Sequence, residues 1–260
     1  MDNPLPQYYA LVLGGSQGLG YASALKLAQN GWNLIIIHRD RRSDLQDIET
    51  KFKAIQDCGV ELKSFNLDAT NSEKRKSFIE NLPEVLGTSG QIKLLLHSIA
   101  KGNLKAMTGD AALNQTDLQI TTNAMAYSFY EWSKAILEAG YFAKQTKLLA
   151  FTSEGNQRVW KHYAAVSVAK TSLETLMKYM AVEFAEFGIT ANCIQPGVVE
   201  TQSFQMIPGH EQLKVASVNR NPFHRLTQPN DVANVVYLLS KDEANWINGT
   251  VIKADGGESL

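Results

Sequence analysis

Short apolar runs alternate with longer stretches of helical period along most of the chain. Runs such as L-I-I-I at 34–37 and I-K-L-L-L at 92–96 are apolar at nearly every position. That is the pattern of strands buried on both faces of a parallel sheet. The pattern predicts strands over Tyr8–Leu13, Asn33–Ile37, Glu61–Asn66, Ile92–His97, Thr146–Thr152, Thr190–Gln195 and Thr250–Ala254. It predicts helices over Leu19–Asn30, Ser43–Cys58, Ser72–Leu86, Gln115–Ala139, Tyr163–Phe187 and Asn230–Ser240. Strand and helix in regular succession predict an α/β fold, a doubly wound parallel sheet of the Rossmann kind with helices on both faces. No repeat, low-complexity tract or linker divides the chain, so one domain over residues 1–260 is expected. The segment 202–225, with Pro208, Gly209 and Pro222, breaks the alternation. Long irregular segments in compact domains are usually lids or binding loops, and a substrate lid is expected here; a plain surface connection is the alternative.

Composition narrows the class. The chain has 260 residues, 44% hydrophobic and 20% charged, with a formal net charge of -1. This is enough chain for one large core, and the charge balance points to neither a nucleic acid nor a membrane as partner. Cys58 and Cys193 lie far apart with no metal-ligand spacing, so no metal is expected, and they read as reduced thiols of a cytoplasmic protein. The opening M-D-N-P-L-P lacks the basic-then-apolar pattern of a signal peptide, and the apolar runs are far too short to span a membrane.

The first chemical signal is G-G-S-Q-G-L-G at 14–20, between the first strand and the first helix. Gly14, Gly18 and Gly20 allow a tight turn and the close approach of a pyrophosphate to free helix N–H groups. The second strand ends I-I-I-H-R-D-R-R. His38 stands where an acid would hold the ribose hydroxyls of NADH, and Arg39 follows it, a fork suited to the 2′-phosphate of NADPH. Asp40 argues the other way, because a shift of two in register would favour NADH. Asp68 could accept from the adenine amino group or cap the next helix. The second signal is Tyr163 and Lys170 in Y-A-A-V-S-V-A-K, seven apart and so on one helix face. An ammonium near the phenol should lower the tyrosine pKa and make a proton donor for carbonyl chemistry.

These residues, with H-S-I-A at 97–100, Asn123 in T-T-N-A, Ser153, P-G-V-V-E-T at 196–201 and the closing A-D-G-G, resemble the short-chain dehydrogenase/reductase family over nearly the whole chain. The resemblance implies Tyr163, Lys170, Asn123 and Ser153 as the catalytic set. Tyr163 would hydrogen-bond the oxygen of the substrate. Lys170 would hold the nicotinamide ribose, Asn123 would order a proton-supplying water behind the lysine, and Ser153 would assist at the carbonyl. It implies a dinucleotide site made of Gly14, Ser16, Gln17, Gly18, Leu19, Gly20, His38, Arg39, Leu67, Asp68, Ser98, Ile99, Ala100, Tyr163, Lys170, Pro196, Gly197, Val199 and Thr201, with no metal. There are departures. Leu13 stands where the family usually has Thr, and Gln17 where many NADPH-using members have Arg. The commoner spacing also puts three residues between Tyr and Lys. Here six intervene, Val166 stands four before Lys170, and Ser153 keeps the usual seventeen.

Tyr-six-Lys is similar to the enoyl-acyl-carrier-protein reductases, and Ser153 in place of a second tyrosine is similar to their NADPH-dependent type III members. A physical reason can be given. When hydride adds to C3 of an enoyl thioester, charge gathers on the C1 oxygen, farther from the nicotinamide than a ketone oxygen would be. Three residues of helix shift a donor by about 4.5 Å, at 1.5 Å per residue. The resemblance implies NADPH, an acyl thioester on acyl carrier protein or coenzyme A, and a homotetramer. Lys101, Lys105, Arg158, Lys161, Arg220 and Arg225 could receive an acidic carrier. Phe204, Met206, Ile207 and Phe223 could line an acyl channel. A carbonyl reductase, such as a 3-oxoacyl-acyl-carrier-protein reductase, is the alternative, and a non-catalytic dinucleotide sensor a third.

Overall fold

The computed structural model describes residues 7–260, so the opening 1–6 lies outside the described residues. Seven strands form one parallel sheet in the order β3-β2-β1-β4-β5-β6-β7. They are β1 (Gln7–Leu13), β2 (Asn33–His38), β3 (Leu62–Asn66), β4 (Gly90–His97), β5 (Phe142–Phe151), β6 (Thr190–Pro196) and β7 (Val251–Ala254). The helices are α1 (Gly18–Ala28), α2 (Leu45–Gln56), α3 (Ser72–Glu80), α4 (Leu82–Leu86), α5 (Gln115–Thr122), α6 (Ser128–Glu138), α7 (Ala164–Glu183), α8 (Gln202–Gln205), α9 (His210–Arg220) and α10 (Pro229–Ser240).

The strand pattern explains the layering. Leu11 and Leu13 of β1 point to one face and pack with Phe129, Trp132, Leu173 and Met177 of α6 and α7. Ala10 and Val12 point to the other and pack with Leu27, Phe52, Val232 and Val236 of α1, α2 and α10. Both faces are covered, so the strands carry no polar alternation. Strand order reverses between β1 and β4, which opens a crevice at their carboxyl ends, the usual ligand site of such sheets.

Two expected helices are interrupted and a third begins one residue late. The stretch 72–86 breaks at Asn81, just before Leu82-Pro83. The stretch 115–139 contains a wide π turn at Asn123–Tyr127, an insertion often found at functional sites. The long helix begins at Ala164, so Tyr163 is its N-cap residue rather than a member of it. His162, just before, holds φ at 66°, a left-handed conformation that a non-glycine residue keeps only when its surroundings enforce it. Among the described residues no helix is long and apolar enough to cross a membrane. None of their His, Cys, Asp and Glu groups could hold a metal ion.

Candidate active site

The crevice begins with backbone packed on backbone. Gly14 N–H donates to Ile37 O at 2.8 Å. A Cβ on Gly14 would fall 2.6 Å from Ser98 O, and one on Gly20 would fall 2.1 Å from Gly14 O. No side chain fits at either position. Gln17 precedes α1 without a side-chain cap, which leaves the first helix N–H groups for a ligand. Ser16 is buried beside them, and Leu19 packs on the core. Across the crevice, Thr201 caps α8, and its methyl is 3.5 Å from where a Gly18 Cβ would stand. Pro196 ends β6 and Val199 is buried behind the turn. The other wall is the β4 exit, where Ser98 N–H donates to Leu13 O at 2.8 Å, Ile99 packs on the core and Ala100 is exposed. This cradle of glycines, free helix N–H groups and flanking hydroxyls fits a dinucleotide.

The adenosine end differs from the sequence expectation. His38 is buried, and its Nδ1 lies 2.7 Å from Asp40 Oδ2. Gln17 Nε2 donates to Asp40 Oδ1 at 3.3 Å, so Asp40 is tied to the glycine loop. Arg39 is exposed and pairs with Asp68 Oδ2 at 2.6 Å. Asp68 caps no helix. Its Oδ1 accepts from Thr70 N–H and Oγ1–H, while Asn71 caps α3. Leu67 N–H donates to His38 O at 2.8 Å and closes this corner.

At the reaction end, Tyr163 Oη lies 3.3 Å from Ser153 Oγ, which also accepts from Gly155 N–H. The turn after β5 lies flat on the phenol ring, so a Cβ on Gly155 would sit 2.4 Å from it. Lys170 is buried, and its Nζ donates to Phe151 O at 2.7 Å. Burial lowers its pKa to about 8. The expected lowering of the Tyr163 pKa is absent. Burial raises it, the Ser153 hydrogen bond opposes that, and Lys170 makes no direct contribution. The lysine is spent on the strand carbonyl instead.

Asn123 is not with the other three. It is exposed in a surface recess lined also by Arg75, Tyr127, Tyr130 and Glu131. The π turn rotates Met125 inward in its place, into an apolar cluster with Val166, Ala169, Leu104 and Tyr163. Val166 thus fills the slot four before the lysine with an aliphatic side chain.

Sequence reading missed a buried charge cluster. Glu258 is 1% exposed, and its Oε2 accepts from Val198 N–H at 3.0 Å. Its Oε1 accepts from Arg220 Nη2 at 2.9 Å, and Arg220 also pairs with Glu154 beside Ser153. No local motif marks these three, which meet through distant segments. The 202–225 segment contains α8 and α9 and is pinned by Trp160 Nε1–H donating to Pro208 O at 3.1 Å. Met206 and Phe223 face outward, while Phe204 is buried against His210. Five of the six basic residues expected to meet a carrier already pair with acids: Lys101 with Asp68, Lys105 with Asp117, Arg158 and Arg220 with Glu154, Arg225 with Asp231.

A family model described as enoyl-(acyl carrier protein) reductase matches residues 14–259. The chain is a short-chain dehydrogenase/reductase. Its relatives include the 7alpha-hydroxysteroid dehydrogenase of Paraclostridium sordellii, 27% identical over 99% of this chain and 94% of that one. The D-erythrulose reductase of Gallus gallus is 25% identical over 95% of this chain and 94% of its own. Among solved structures, the enoyl-[acyl-carrier-protein] reductase (NADH) of Aquifex aeolicus VF5 superposes with TM-score 0.84, 23% identity and 98% of both chains covered. A short-chain dehydrogenase of Burkholderia cenocepacia J2315 in complex with NADP gives 0.83 and 23%, covering 99% of this chain and 100% of that one. These structural likenesses carry the fold. The family makes this protein an oxidoreductase that binds a nicotinamide dinucleotide, which when bound supplies or accepts a hydride. The glycine loop and the 196–201 turn would hold it, and burial keeps a neutral phenol at the other end of the crevice.

Proposed function

We propose that this protein reduces the C2=C3 double bond of an enoyl thioester. One observation carries the reading. The proton donor Tyr163 precedes Lys170 by seven residues, and the nearer slot is closed by buried Val166. A donor set back along the helix suits an oxygen two carbons from the point of hydride addition. Tyr163 O–H donates to the thioester oxygen as charge gathers there, and such hydrogen bonds to developing charge are worth far more in a dry site than in water. Ser153 holds the phenol from the side and is the hydroxyl nearest the phenolate once the proton has left. A carbonyl reductase is the second reading, favoured by the ketone and alcohol substrates in its relatives' names.

Of the two carriers, coenzyme A or acyl carrier protein, the paired basic residues lend no support to an acidic protein. NADPH is our reading of the cofactor, through Arg39, which needs only to leave Asp68 to meet a 2′-phosphate. Asp40 supports NADH instead, because a carboxylate beside the ribose repels that phosphate and accepts from hydroxyls. A homotetramer is supported by exposed apolar residues on α5, its π turn and α7: Ile120, Tyr127, Val168, Tyr179 and Val182. Light scattering on the purified protein tests it, and a monomer sinks it.

The deciding experiment follows oxidation of NADPH and of NADH with crotonyl-coenzyme A and with acetoacetyl-coenzyme A. Turnover of the enoyl thioester alone is expected. Turnover of the ketone alone transfers the assignment to the carbonyl reductase. A preference for NADH assigns the ribose to Asp40.

A further inference from the structure

Every turnover of such a reductase consumes one proton from water, so Tyr163 must be reprotonated from outside. The expected supply route, a water held by Asn123 behind the lysine, is missing here. Asn123 is exposed, and Met125 instead packs with Val166, Ala169, Leu104 and Tyr163 in an apolar plug. Gly102 tightens that plug, since a Cβ there would fall 2.9 Å from the Met125 methyl and 3.0 Å from Val166.

Polar side chains gather on the opposite side of the pair. Glu174 lies one helical turn beyond Lys170, and its charge acts on that lysine. Its Oε1 accepts from both Thr152 Oγ1 at 2.5 Å and Asn156 Nδ2 at 2.6 Å. Thr152 N–H donates to Ile194 O, and Phe151 pairs with Ile194, so Thr152 and Gln195 stand side by side on the sheet face that α7 covers. Gln195 is 1% exposed, and both its amide atoms are buried with no protein partner among the described residues. The same holds for Asn156 Oδ1, Ser217 Oγ and Arg220 Nε. Ser217 and Arg220 are one turn apart on lid helix α9, and Arg220 bonds Glu154, two residues before Asn156. Five orphaned atoms on four residues are thus found on α9, on the turn after β5 and at the end of β6, and Asn156, one of the four, bonds Glu174. Buried polar atoms are almost always satisfied, and a polar site of this kind takes up water.

We propose that protons reach the Tyr163–Lys170 pair along this interior path of water and polar side chains, from the lid helix past Gln195 and Asn156, with Glu174 as the relay nearest the lysine. The proposal rests on Tyr163 as proton donor and holds for an enoyl or a ketone substrate. The balance is simple. Substrate gains a hydride and the phenol proton, and the phenolate regains one proton from bulk water through the path. Glu174 touches neither substrate nor cofactor and is a positioning and relay residue.

The test separates the first turnover from later ones. Glu174→Gln keeps an oxygen for Thr152 and Asn156 but removes the proton-accepting carboxylate. Stopped-flow oxidation of the nicotinamide, with whichever thioester the wild type reduces, should show a first turnover at the wild-type rate, because Tyr163 already carries its proton. Later turnovers should slow by about a hundredfold, the scale of a lost proton transfer, with an enlarged solvent isotope effect. Adding Met125→Asn to that variant reopens the other side and should restore steady-state turnover. Equal slowing of first and later turnovers, or no slowing, overturns the proposal. A second readout needs no cofactor. A crystal structure of the free protein should contain ordered waters joining Gln195 and Asn156 to Ser217, and a dry path overturns it even if neither thioester is turned over.

Discussion

At the nucleotide end of the crevice, the fit is made by main chain against main chain. Gly20 stands so close to Gly14 O that no side chain is tolerated, and Gly14 stands as close to Ser98 O. At the reaction end the fit is made by buried side chains from distant segments: Tyr163 against Ser153, Lys170 against Phe151 O, Glu258 against Val198 N–H. The first kind of fit depends on residue type at fixed spacing. The second depends on which side chains the fold happens to bring together. A family can keep the first unchanged while the second diverges, which suits one cofactor class and many substrates.

The comparison breaks most sharply at Tyr163. Tyr163→Phe removes the proposed proton donor and little volume. It should lower kcat by about 10²–10⁴-fold, while dinucleotide affinity, measured by fluorescence titration, stays within about twofold. If Tyr163→Phe weakens cofactor binding as much as turnover, the two ends are not separable. The converse substitution is Gly20→Ala, which drives a Cβ into Gly14 O. Overpacking against backbone costs roughly 1–3 kcal/mol, a melting shift of about 5–10 °C, with dinucleotide affinity reduced about tenfold or more. Gly31→Ala is the control, since nothing lies within 4 Å of its Cβ position. It bears only the strain of φ at 82° and should leave affinity untouched.

The same division governs what could be read from the sequence. Glycine spacing and unbroken apolar runs report directly on backbone geometry, so the parallel sheet and the tight glycine turn after β1 were legible. Asn123 was not, because one extra residue in the π turn rotates everything after it, and no propensity marks such an insertion. The pairing of His38 with Asp40 was not legible for a related reason. Alternation along a strand says which residue points inward but not whether a nearby acid folds back to meet it. The Glu154–Arg220–Glu258 cluster joins segments up to 104 residues apart, and only tertiary structure brings them together. Burial likewise overrode the expected lysine effect on Tyr163, which sequence spacing alone could not weigh.

Lys170 offers a titration that sharpens the contrast. Its burial disfavours the ammonium, so the charged form is held below about 8 and lost as pH rises through that value. The kcat/KM profile, which reports the free enzyme, should therefore fall on its alkaline side near pH 8, by up to about tenfold per unit. An unperturbed lysine would hold the plateau to ~10.4. An alkaline limb near that higher value would mean that Lys170 is more solvated than its buried place on α7 against β5 allows. Dinucleotide binding through backbone N–H groups should change far less over the same range.

The smallest expected effect concerns the lid. Trp160 stands three residues before Tyr163 and donates its indole N–H to Pro208 O, so the segment that delivers the tyrosine also fastens the 202–225 segment, the proposed lid. Trp160→Phe keeps an aromatic body and removes that donor. A net hydrogen bond of this kind contributes about 0.5–1.5 kcal/mol, so a detached state of the 202–225 segment should gain population by about two- to tenfold. If the proposed lid closes over substrate alone, KM for the substrate rises by that factor while kcat and dinucleotide affinity hold. If kcat falls with KM unchanged, the indole instead sets the approach of Tyr163 through the strained turn at His162. The lid would then belong to the catalytic machinery, and the boundary between the two ends would move to Pro208.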